Sequence, residues 1–306
     1  MTKTYTIKSA LLTTAMLIGL PSAALAQDVI GVNAAVKGQV TIQSQGEDVK
    51  KAIVKDDVRL GDQVNSARVS SLQVLLKDQT VFTVGPECEL VIDRFVYDPD
   101  KDSNSLQANV TKGMFRFMSG NISKSGPESV SIDTPVASLG VRGTIVEGLV
   151  GEDAIAIALE LGLINDPSQA DPDGATIFVL RGPGSRQTGS NPDGEIRIVS
   201  RGGAITVNQS GNAVFIPRAD SAPIGPFVLP PDSFKLFNER LRTEPTTGPD
   251  FRTFDVDVFV LPEEDDDLPG VPQKLVDPID TVFDPFFDLE WPDEDIFDSP
   301  CGVANC

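Results

Sequence analysis

The amino-acid sequence predicts a mainly β protein, a twisted stack of short strands with a solenoid-like or sandwich-like body, a minor helix and a disordered acidic tail. Three observations carry that prediction. Apolar residues recur in brief runs with period two, and turn signals interrupt them about every 8–12 residues, the spacing of all-β domains. The stretch from Gly113 to Thr144 concentrates the pattern, with Phe115 and Phe117 alternating against Met114, Arg116 and Met118 between two glycines. Outside the N-terminal 26 residues, only 152–164 and 233–241 read as helix by composition.

Residues 1–26 carry Lys3 and Lys8, an apolar run from Ala10 to Leu20 and the small-residue site Ala24-Leu25-Ala26, the pattern of a cleaved signal peptide. The apolar run is shorter than the ~20 residues a spanning helix needs. From Val29 to Gln45, valines and Ile42 alternate about a turn at Gly38, giving two strands. Val58 and Leu60 precede a Gly61-Asp62 turn. Leu72, Val74 and Leu76 alternate with Ser71 and Gln73, and Val81 to Val84 returns after Lys77-Asp78-Gln79, a hairpin pattern. Gly85-Pro86 breaks the chain before Leu90, Ile92 and Phe95. Val130 and Ile132 open a further strand, and Gly140 and Gly143 flank Arg142, which places that arginine between two expected bends.

Beyond 150 the reading is a β extension over 151–245 with an insert and a short helix. Residues 152–164 suit a helix or a strand insert, because Ile155 and Ile157 also alternate. Runs 165–174 and 182–194 are loops rich in Pro, Gly, Asp and Ser. Ile177–Leu180, Ile196–Val199, Ile205–Val207 and Val214–Ile216 are strands, and Ser233–Leu241 is a short helix capped by Asp232 or Ser233. Residues 246–306 form the acidic tail: Pro262 to Asp298 holds 14 acids against the single base Lys274, interleaved with prolines and with Phe283, Phe286, Phe287, Trp291 and Phe297. Such a composition opposes a packed core, and either solvates the chain or docks on a basic partner.

Charge and composition narrow function. The whole chain carries a net charge of −20, which repels nucleic acid. It has no histidine, so imidazole-based nucleophilic catalysis and imidazole metal ligation are absent. No catalytic residue, cofactor or metal site is expected, and no stable membrane insertion. Of the three cysteines, Cys301 and Cys306 can close a short loop in an oxidising compartment, leaving Cys88 as a small buried hydrophobe. Asp98, Asp100 and Asp102 imitate the opening of a calcium loop, but Ser103 stands where a sharp-turn glycine is needed and Asn109 where a bidentate glutamate closes such loops.

The order Gly61-Asp62, Leu72 to Thr80, Asp93-Arg94-Phe95-Val96-Tyr97-Asp98-Pro99, Gly113-Met114-Phe115-Arg116-Phe117-Met118-Ser119-Gly120 and Thr134-Pro135-Val136-Ala137 followed by Gly140-Val141-Arg142-Gly143-Thr144 resembles the FecR domain family over roughly residues 30–148, within a β domain placed at 27–150. The resemblance implies a non-enzymatic β module outside the cytoplasm, in whose best-known members contact with an outer-membrane transporter serves iron-citrate signalling. The signalling members carry a helical sigma-binding segment and a spanning helix, and neither is expected here, where the sequence opens on the pattern of an export signal. This chain also has Gln79 where the family has glycine, so a different turn is expected there. Thr134, Pro135, Gly140, Arg142, Gly143 and Thr144 are the motif residues, read mainly as structural. The functional expectation is an exported envelope protein, periplasmic or secreted, that binds or senses an unidentified envelope protein; the alternative is a structural or surface-adhesive protein whose acidic tail holds Ca2+ or keeps the body soluble.

Overall fold

The structure, a computed structural model, describes residues 28–101, 103–124, 128–182 and 194–243. In chain order the strands and helices are β1 (Val29–Lys37), β2 (Val40–Gln43), β3 (Lys50–Lys51), β4 (Asp57–Arg59), β5 (Gln63–Ser66), β6 (Ser71–Leu76), β7 (Val81–Val84), β8 (Glu89–Val96), β9 (Ser105–Met118), β10 (Val130–Asp133), β11 (Ser138–Arg142), β12 (Ile145–Val150), α1 (Glu152–Glu160), β13 (Thr176–Gly182), β14 (Glu195–Ser200), β15 (Gly203–Val207), β16 (Asn212–Ile216), β17 (Ile224–Val228) and α2 (Pro231–Leu241).

Alternating apolar residues leave each strand one face to bury, and the strands meet that need as two layers. The first runs β4-β1-β6-β7-β9-β12-β13-β16-β17. The second runs β3-β2-β5-β8-β9-β10-β11-β14-β15. Every pairing is antiparallel except β9 with β10. The fold is mainly β and sandwich-like, as the sequence predicts.

β9 belongs to both layers. Residues up to Lys112 pair with β8 in the second layer, and Gly113 to Met118 pair with β12 in the first. The sequence places a strand boundary at Gly113; the structure places a layer crossing there, inside a strand of 14 residues. Its φ is 83°, and an added Cβ would lie 2.3 Å from the Glu87 carbonyl oxygen, so only glycine fits. Crossing reverses the sense of the alternation. Leu106, Ala108 and Val110 face the interior before the crossing, and Phe115 and Phe117 after it. Phe82 packs on Phe115 and Phe117 with ring centroids 5.7 and 5.8 Å apart, and Phe115 on Phe178 at 6.5 Å; such pairs add about 0.5–1.5 kcal/mol each beyond their buried area.

A second core lies on the outer face of the first layer, where Met114, Leu149, Ile177 and Phe215 are roofed by Ile155 and Ala158 of α1 and Phe237 and Leu241 of α2. Residues 152–160 take the helical option because Ala154, Ile155, Ile157 and Ala158 then share one buried stripe. In α2, Asp232 and Ser233 are not caps. Pro230 is the N-cap residue and Pro231 the first helical one, a place where a missing N–H costs nothing. Strand β17 has no sequence forecast, because Gly225 and Pro226 mask its alternation. Gln79 takes φ 69°, the left-handed conformation a glycine would supply, so the β6–β7 turn tolerates glutamine there rather than changing to suit it.

Candidate functional site

The motif residues lie along one hairpin and the corner that follows it. At the β10–β11 turn, the Thr134 N–H and hydroxyl both donate to the Ala137 carbonyl, at 2.8 and 3.1 Å. Pro135 is exposed there, over buried Val136 and Ala137. Gly140 is no bend: it sits inside β11, opposite Ser131 and Arg197. Gly143, at φ 61°, makes the corner that carries the chain from β11 in the second layer to β12 in the first. Buried Thr144 ties that corner to the end of β9, its N–H donating to Ser119 Oγ at 3.0 Å while the Ser119 hydroxyl donates to the Thr144 carbonyl at 2.7 Å. Thr134 and Thr144 therefore stand at opposite ends of β11 and do not converge on one point. Arg142 is exposed beside Glu195 in the ladder. A shallow cleft of about 560 Å³ opens between α1 and the 167–172 segment, and one of about 350 Å³ lies beside the β10–β11 turn, lined by Asp133, Thr134, Val199 and Arg201 among others.

The sheet edges differ in what they offer. β3 is two residues long and both are lysine; β4 has three residues; β17 carries Pro226 in its centre. Short length, lysine and proline all blunt an edge. β15 has five residues with neither charge nor proline, and among the described residues its only ladder partner is β14. The β14–β15 turn has two residues, so its closing pair, Ser200 and Gly203, exchanges hydrogen bonds. The alternation of an antiparallel ladder then turns the main-chain groups of Ala204 and Thr206 outward. Their side chains are exposed, Ile205 is half-buried against the core, and Val207 is buried. Around this edge stand three exposed arginines: Arg197 opposite Thr206, Arg201 at the hairpin tip, and Arg142 one strand beyond. None of the three makes an ion pair among the described residues.

Sequence reasoning missed a charged group in the second core. Glu147 is fully buried in β12, directly opposite Arg116 of β9, whose Nε and Nη2 donate to Oε1 at 2.8 and 2.6 Å. Arg181 of β13 approaches Oε2 at 3.5 Å. α2 closes over the group: Asn238 accepts from Arg181 at 2.8 Å, and the Phe234 ring lies 4.6 Å beneath its guanidinium. Burial pushes the Arg181 pKa below the ordinary arginine value, against the opposing pull of Glu147. A charge in an otherwise apolar strand, Ile-Val-Glu-Gly-Leu-Val, was the available signal.

Elsewhere, Cys88 is buried and burial raises its thiol pKa far above the usual range. Asp98 pairs with Lys101 at 2.7 Å and is held below the usual carboxylate range by that contact. Asn109, the residue in the loop-closing position of the calcium-like pattern, is in β9 and donates to Asp93. No group of three acidic or cysteine ligands gathers among the described residues. Asp102, residues 1–26, the tail 246–306 and the Cys301/Cys306 pair lie outside the described residues. No described helix is long and apolar enough to cross a membrane.

By fold, the described chain is a two-layer β module with one unblunted edge. Residues 62–165 match the family model described as FecR protein. Among curated proteins none matches. Two crystal structures of a protein described as a candidate anti-sigma factor, from Parabacteroides distasonis ATCC 8503, align over 57% of this chain at 11% identity, with TM-scores of 0.37 and 0.36. This chain spans 63% and 64% of those chains, and at such scores the two folds are not equated.

Proposed function

We propose that the protein is an exported, non-enzymatic envelope module that recognises another protein, and that the edge of β15 is the line along which an extended segment of that partner adds as a further strand. The observation that carries the reading is the contrast among edges: three are blunted, while β15 presents the outward N–H and C=O groups of Ala204 and Thr206 in a five-residue run. Strand addition gains affinity from main-chain hydrogen bonds and selectivity from alternate side chains. The match to the FecR family model supports a sensing or regulatory role in the envelope, and the N-terminal pattern Lys3 to Ala26 supports export.

The test places a photo-crosslinking residue at position 206 in the exported protein. A discrete crosslinked partner is expected, and Thr206→Pro, read with a crosslinker at Ala204, should abolish it, since proline removes the outward donor while being tolerated on an edge. Circular dichroism matching the wild type shows that the variant is folded. Absence of any crosslinked protein in intact cells, with or without residues 246–306, would overturn the proposal.

A further inference from the structure

The chain itself contains a segment that fits the β15 edge. Residues 254–260 read Phe-Asp-Val-Asp-Val-Phe-Val, with Phe254, Val256, Val258 and Val260 at one parity and Asp255 and Asp257 at the other. A strand added to β15 must present apolar side chains on the face shared with Ile205 and Val207, and can present acids on the face shared with Ala204, Thr206 and the arginines. One antiparallel register meets both demands: Val256 opposite Ile205, Asp255 opposite Thr206, and Asp257 opposite Ala204. Ala204 and Thr206 are short, so Arg197 and Arg201 can reach across them toward the two carboxylates.

We infer that segment 254–260 of the same molecule occupies the β15 edge as a self-supplied strand, so that an external partner must displace it. The inference rests on the proposed role of that edge and adds its regulation. The chemistry is specific on both sides. In a protein of net charge −20, three exposed arginines that make no ion pair among the described residues gather beside the unblunted edge, and acidic residues at period two supply the complement. The path is long enough: ten residues, 244–253, span up to about 35 Å, and β6, against which Thr243 rests through Ser71, lies six strand steps from β15, or about 29 Å at ~4.8 Å per strand.

Amide hydrogen exchange on the mature full chain tests this directly. The Ala204 and Thr206 amides should exchange roughly tenfold or more slowly in the wild type than in Asp255→Pro/Asp257→Pro, which removes the two N–H groups that this register directs at Thr206 and Ala204. Asp255→Lys/Asp257→Lys should lose most of the same protection, and the loss should shrink at high salt. Equal, fast exchange of the two amides in wild type and proline variant overturns the inference. So does protection that appears only at high protein concentration with a doubled mass, which assigns the edge to a second copy. Fast exchange in the free chain combined with a crosslinked partner at position 206 would sink self-occupancy and leave partner binding standing, whereas protected amides without any crosslinked partner would do the reverse.

Discussion

The outer face of the first layer and the outer face of the second are both made from alternate residues of nine strands, yet helices cover the former and leave the latter open. β9 shows why within a single strand. Before Gly113 its outward residues are Gln107, Asn109 and Thr111; after it they are Met114 and Arg116. The first set bonds to neighbours in the same face, Gln107 to Asp133 and Thr111 to Glu89, and needs no roof. The second set continues into Leu149, Ile177 and Phe215, an apolar field that α1 and α2 remove from water. Covering has a further effect: the Arg116–Glu147–Arg181 group lies on the same face, and once α2 excludes water its charges must satisfy one another.

That contrast can be broken by experiment. Glu147→Ala leaves two guanidiniums facing each other under α2 and should destabilise the protein by about 3–5 kcal/mol, whereas Thr111→Ala on the open face should stay within about 0.5 kcal/mol; denaturant unfolding measures both, and similar losses would erase the distinction. Leu241→Ala, in a side chain with no exposure, should cost about 2–5 kcal/mol and deprotect the amides of α2 before those of β9. Gly113→Ala should cost at least about 1–3 kcal/mol through backbone strain alone, lowering the melting temperature. Gln79→Gly should raise stability by up to about 1 kcal/mol, since it removes a left-handed non-glycine residue.

The smallest expected effect concerns Asp93, on the open face, whose pKa is raised by partial burial and by the neighbouring Asp133. A raised folded-state pKa means that folding disfavours the ionised carboxylate. The penalty is present above the folded pKa and absent once pH falls below the unfolded value. Asp93→Asn should therefore raise the melting temperature slightly at pH 7 and leave it unchanged near pH 3; a rise of equal size at both would show that charge is not the cause.

Much of the sandwich is written locally. The 70–84 hairpin, the Phe115/Phe117 inward pair and the strands within 177–216 follow from period-two alternation and turn residues, because each of those signals spans only a few positions. The parts that were not legible depend on distant partners. Arg116 occupies the parity of a solvated strand position, and its half-buried pairing depends on Glu147, thirty-one residues later, and on Arg181 beyond it, which α2 covers through Phe234 and Asn238. That β15 has a single ladder partner among the described residues could not be read either, since alternation identifies a strand without saying whether it has one neighbour or two. Gly140 and Gly143 look equivalent in the sequence, but the ladder with β10 and β14 extends Gly140 while the change of layer bends the chain at Gly143.

The passage of β9 through both layers has a mechanical consequence. A sandwich joined only by loops can lose one sheet while the other persists, but here a continuous backbone is stitched by hydrogen bonds to β8 and β10 at one end and to β7 and β12 at the other. Force applied where a partner pulls on β15 passes from ladder to ladder through β14, β11 and β10 into that shared strand, so the sheets should yield together in one step rather than peel apart in sequence.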